Sequence, residues 1–104
     1  MMSRKRRRRE AMERTYTVVL LKEEDGGYSV SVPALPGCVT QGGTVPEALE
    51  RVREAIQCHL KGMAMDDEVI PEDVETVVFD WGDSQEALAF KVRVREVLEA
   101  LFAA

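Results

Sequence analysis

Cys38, Cys58 and His59 are the side chains best suited to nucleophilic, general-base or metal chemistry in this 104-residue chain. Cys38 lies in "PALPGCVTQGG", residues 33–43, where two prolines and three glycines surround it. A catalytic thiolate needs a nearby base or positive charge to lower its pKa, and no such residue adjoins Cys38 in sequence. His59 is the single histidine and falls on the edge of an apolar helical stripe, four residues after Ala55, the position of a partly buried structural side chain. Two cysteines and one histidine without paired CxxC spacing make a poor zinc site. The carboxylates Glu23, Glu24, Asp25, Asp66, Asp67, Glu68 and Asp80 could in principle hold Mg²⁺ for phosphodiester cleavage. They lie mostly in turn-like stretches, where solubility accounts for them. The glycines of "GCVTQGG" fit neither a P-loop nor a GxGxxG frame, and "PALP" is a bare PxxP between strand-like runs. No catalytic residue, metal or cofactor is therefore expected.

The elements around these residues follow from periodicity. "TYTVVLLK", Thr15 to Lys22, is β-branched and aliphatic and runs into the turn formers Asp25, Gly26 and Gly27, which predicts a strand entering a hairpin. "YSVSV" alternates, so Tyr28, Val30 and Val32 face one way and Ser29 and Ser31 the other. Pro33 and Pro36 interrupt the ladder before "CVTQ" supplies a short third strand. Thr44 with Glu47 forms a capping-box pattern, and Pro46 falls in the first turn, so a helix begins near Val45. Ala48, Leu49, Val52, Ala55, Ile56 and Leu60 make its apolar stripe, and Gly62 is the expected stop. "VETVVFDW", 74–81, reads as a fourth strand. The last segment supports two readings. Asp83 with Glu86 suggests a capped helix with Leu88, Val92, Leu98, Leu101 and Phe102 on its apolar side, whereas "FKVRVR" alternates as a strand presenting Lys91, Arg93 and Arg95, like half a DNA-reading ribbon. The continuous C-terminal helix is the reading taken.

The charge is unevenly distributed. The chain carries 14 basic and 19 acidic residues, for a net charge of -5. Six of the basic residues are Arg4, Lys5, Arg6, Arg7, Arg8 and Arg9, which leaves 8 against 19 in the remainder. The body is acidic and suits a basic partner, while the arm could grip phosphates without reading sequence, or simply solubilise the chain. Translation from Met12 would remove that arm. No apolar run spans a bilayer and no secretory signal pattern is present, so a cytoplasmic protein with free cysteines is expected. The expected organisation is a basic arm over 1–13, an α+β domain over 14–82 and a helical segment over 83–104. An uncovered sheet edge together with Leu98, Leu101 and Phe102 predicts a homo-dimer or higher oligomer.

Read in order, Gly27 and Tyr28 after the first strand, Pro33, Leu35, Pro36, Gly37 and Cys38 in the corner, Gly42, Thr44, Glu47 and Ala48 at the helix start, and Ile70-Pro71 further on form a long series. It resembles the HicB family of type II toxin-antitoxin antitoxins, including its short UPF0150-type members, from about Tyr16 to Pro71. The family often has Asp where this chain has Ala34, and Asp or Glu where it has Gly43. The resemblance implies a β-β-β-α-β unit, described as a partial ribonuclease H fold without that enzyme's carboxylate cluster. It also implies that Cys38 is a small buried hydrophobe in a structural corner. Family members inhibit HicA toxins, small basic mRNA-cleaving proteins, by covering them. On that reading Glu23, Glu24, Asp25 and Pro33 are the expected toxin contacts. Longer relatives repress their own operon through an added DNA-binding module, so operator DNA is a further expected partner here, through the arm or Lys91, Arg93 and Arg95. The competing expectation is a small oligomeric nucleic-acid-binding protein without a toxin.

Overall fold

The structure, a computed structural model, describes residues 11–78, 80–83 and 86–97. Four strands, β1 (Ala11–Lys22), β2 (Tyr28–Ser31), β3 (Val39–Gly42) and β4 (Ala87–Val97), form one antiparallel sheet in the order β3-β2-β1-β4. The helix α1 (Val45–Met65) stands between β3 and β4 in the chain and packs on one sheet face. The expected α+β class and β-β-β-α-β order therefore hold.

Alternation decides which face is dry. Tyr16, Val18 and Leu20 of β1, Val30 of β2 and Val92 and Val94 of β4 are buried against Ala48, Val52, Ile56 and Leu60 of the helix. Those four helix positions recur every four residues and are completely buried, which is why one stripe is enough to hold the helix to the sheet. The helix begins where its capping signals place it. Glu47 N–H donates to Thr44 Oγ1 at 3.2 Å, and Gly43 N–H donates to Glu47 Oε1 at 2.8 Å. Glu47 also meets Arg51 at 3.6 Å, one turn along.

The corner between β2 and β3 is structural. Leu35 N–H donates to the Val32 carbonyl and Cys38 N–H to the Leu35 carbonyl, each at 2.9 Å. These two tight turns press Leu35 and Cys38 into the core, with Gly37 at φ +89° between them. Burial, and after it the neighbouring Cys58, pushes the Cys38 thiol above its ordinary 9.0, the opposite of what a nucleophile needs.

Three expectations are corrected. The residues described within 74–81 form no strand, and Val78 is 93% exposed. The fourth strand is instead Ala87–Val97, the stretch expected to be helical. Leu88 and Val92 satisfy both a helical and a period-two pattern, but the decision lies in β1, whose unpaired edge takes eleven registered partners from Ala87 to Val97. Val92 and Val94 then enter the core while Lys91, Arg93 and Arg95 stay exposed. Glu86, expected as part of a helix cap, instead accepts a bond from Tyr28 OH at 3.2 Å. Finally, Gly62 does not stop the helix, which continues to Met65 and ends at Asp66, with Asp67 in the left-handed region at φ 57°. Leu98, Leu101, Phe102 and the run Arg4 to Arg9 lie outside the described residues.

Candidate functional site

The β1–β2 hairpin places Glu23, Glu24 and Asp25 together at one end of the sheet, all exposed. Glu23 N–H donates to the Gly27 carbonyl at 2.7 Å and Gly26 N–H to the Glu23 carbonyl at 3.0 Å. Asp25 Oδ1 accepts from Gly27 N–H at 3.0 Å, and Gly26 takes φ +95°, so the turn is fixed by its own side chain and by glycine. Beside it opens a hollow of about 660 Å³ lined by the three carboxylates together with Lys22, Tyr28, Gln41 and Asp83. Tyr28 reaches from its floor to Glu86. Desolvation, then the hydrogen bond and negative charge of Glu86, hold the phenol above its ordinary 10.0. A smaller adjoining hollow of about 260 Å³ extends the same end to Glu47 and Arg51. The arrangement is a negatively charged, open concavity. Among the described residues no group of three His, Cys, Asp or Glu side chains is placed to hold a metal ion.

Pro33 does not belong to this end. It is half-buried beyond the opposite end of β2 and opens the Pro/Gly corner. The corner and the helix border a separate hollow of about 450 Å³, where His59 is half-buried beside Leu35, Pro36 and Met63. Gly27, Pro36, Gly37, Cys38, Gly42, Thr44 and Glu47 all act in turns, close packing or capping.

Lys91, Arg93 and Arg95 do share one exposed strand face, but two of the three are engaged. Thr17 faces Lys91 across the β1–β4 ladder, and Lys91 Nζ donates to Thr17 Oγ1 at 2.7 Å and to Asp73 Oδ2 at 2.8 Å. Thr17 in turn gives its N–H to Asp73 Oδ1 at 2.8 Å and its hydroxyl to Oδ2 at 2.7 Å. Partial burial pushes the Asp73 carboxyl up, but bonds from Lys91, Thr17 and the Val74 N–H outweigh it and hold the group below its ordinary 3.8. Asp73 thus occupies the edge of β1 that β2 is too short to reach. Tyr16 OH donates to the Pro71 carbonyl at 2.6 Å nearby, so the segment after the helix is pinned at two points. Arg93 lies 3.8 Å from Glu13.

Sequence reasoning missed Asp73, Tyr28, Gln41, Asp83 and Glu86 as parts of these arrangements. Glu86 and Asp83 reach the hairpin end because β4 starts opposite Leu21, a register that a helical reading of this segment conceals.

Among the described residues no helix is long and apolar enough to cross a membrane. A UPF0150 protein of Thermoplasma acidophilum is 52% identical over 58 residues, covering 56% of this chain and 84% of the relative. Antitoxin HicB 1 of Photorhabdus laumondii is 43% identical over 56 residues, 54% of this chain but 36% of that protein. A toxin–antitoxin complex from Streptococcus pneumoniae contains a similar fold, with a TM-score of 0.67 at 19% identity, covering 89% of this chain and 75% of the other. The model of the HicB-like antitoxins of bacterial toxin-antitoxin systems matches residues 16–95, which include the whole sheet core, the corner, the helix and the acidic hairpin, and this chain belongs to that family.

Proposed function

We propose that this chain neutralises a HicA-type mRNA-cleaving toxin by covering its RNA-facing surface with the acidic hairpin end, without chemistry of its own. One observation carries the reading: Glu23, Glu24, Asp25 and Asp83 surround one open hollow, and Glu86 stands beside it. A protein that binds RNA presents positive charge where the phosphates sit, so this concavity competes for the same surface. Charges at the rim orient and speed the encounter, and apolar contacts around Tyr28 supply holding energy. Pro33, at the other end of β2, lies outside this contact surface.

The test is association kinetics with the cognate toxin. Replacing Glu23 and Glu24 by Gln and Asp25 by Asn should lower the association rate about tenfold at low salt, flatten its salt dependence and change dissociation much less. An unchanged association rate would move the toxin contact elsewhere. Autoregulation is proposed through Arg4 to Arg9. Removing residues 1–10, which leaves β1 whole, should abolish salt-sensitive binding to operator DNA.

A further inference from the structure

The outer edge of β4 has two unlike halves. Lys22 N–H donates to the Glu86 carbonyl, so the even-numbered residues of β4 turn their backbone groups toward β1 and the odd-numbered ones turn theirs outward. Toward Val97 that edge is guarded. Arg53 Nε donates to the Arg93 carbonyl at 3.2 Å and Gln57 Nε2 to the Arg95 carbonyl at 3.3 Å. The exposed cations Arg93 and Arg95 stand along the same half, with Lys91 at its boundary. Toward Ala87 the edge is bare: the backbone groups of Ala87, Ala89 and Lys91 have no hydrogen-bond partner among the described residues. Ala87 and Ala89 are short, and Leu88 and Phe90 are half-buried at the margin of the core.

We propose that a second copy of this chain pairs with this bare half, β4 against β4, antiparallel about a twofold axis at Ala89. The two sheets then become one. The stretch is self-complementary, as a twofold interface requires. Ala89 meets Ala89 of the second copy, Ala87 lies opposite Lys91, and Leu88 lies opposite Phe90 on the core side, where an aliphatic–aromatic cross-strand pair is favourable. Charge selects this register. Centring the axis at Arg93 would set Arg93 against its own copy and Lys91 against Arg95, centring it at Val92 would set Lys91 against Arg93, and either would displace Arg53 and Gln57 from the edge carbonyls. The hairpin residues Glu23, Glu24 and Asp25 lie between β1 and β2 and take no part in the pairing, while the register sets Val92 of the second copy opposite Glu86, at the margin of the acidic end.

The experiment is light scattering on the full chain alone at micromolar concentration, with two substitutions. The Ala89 N–H points outward, so Ala89→Pro removes no bond to β1 and is tolerated as prolines are on sheet edges. The unsubstituted chain should have two-chain mass, and Ala89→Pro should weaken self-association at least 100-fold while far-ultraviolet circular dichroism stays unchanged. Ala89→Cys in a Cys58→Ser background should form a covalent dimer on mild oxidation, because a hydrogen-bonded antiparallel pair sets its Cα atoms about 5.5 Å apart, within disulfide reach. If Ala89→Pro fails to fold, the cross-link alone decides. A monomeric unsubstituted chain, a dimer untouched by proline in a folded variant, or a dimer that does not cross-link at residue 89 would overturn the proposal. An added acidic strand capturing this edge while the chain alone stays monomeric would overturn it too.

Discussion

Gly42 at the end of β3 lies directly against Ala48 of the helix: a Cβ added at Gly42 would sit 2.5 Å from the Ala48 amide nitrogen and 2.6 Å from its Cα. Backbone cannot yield as a side-chain tip can, so even one methyl group must push the helix off the sheet. Gly42→Ala should cost about 3 kcal/mol, the upper end for overpacking, in denaturant unfolding. Gly37 is different. It takes φ +89° with open space around it, so Gly37→Ala should cost only about 1–2 kcal/mol, from backbone strain alone.

Asp73 gives stability a pH signature. Its folded carboxyl titrates below its ordinary 3.8, so its contribution is complete above about that pH and is lost as pH falls through the lowered folded value. Asp73→Asn should cost about 1–2 kcal/mol at neutral pH, as the loss of hydrogen bonds to a charged group does. Denaturant midpoints of the two proteins should converge below pH 3.8; parallel curves across that range would show that the carboxylate is not the source.

Thr44 caps α1, and its hydroxyl has one described role, accepting from Glu47 N–H. Thr44→Ala should cost about 1 kcal/mol, and Thr44→Ser much less. In thermal melting that is a fall of about 4–8 °C for the alanine variant. An equal loss with serine would point to the Thr44 methyl group instead of the cap.

The first half of the fold is legible because its signals are local and agree. The hairpin glycines, the alternation of Tyr28, Val30 and Val32, the Pro/Gly corner and the Thr44–Glu47 cap each act within a few residues. The second half is decided at long range. Residues 87–97 carry both a helical and a strand period, and only the exposed edge of β1, some seventy residues earlier in the chain, resolves them. The apolar run Val77-Val78 looks like a strand but pairs with none of the four. The acidic triad Glu23, Glu24 and Asp25 is visible as a turn. Its grouping with Asp83 and Glu86 is not, because it depends on the same β1–β4 register. Lys91 shows the same limit: alternation places it on an exposed face, but only the structure brings Asp73 to it and occupies its charge.

Growth rescue with physical capture tests the central claim most directly. The chain is co-expressed with its cognate small basic toxin, and growth, mRNA integrity and co-purification are scored together. Growth and intact mRNA should return, the two proteins should co-purify as a complex that high salt forms more slowly, and the Glu23, Glu24 and Asp25 neutralised variant should need a higher expression level for the same rescue. Failure to form a complex, with no rescue by a folded chain, would contradict the antitoxin role proposed for this protein.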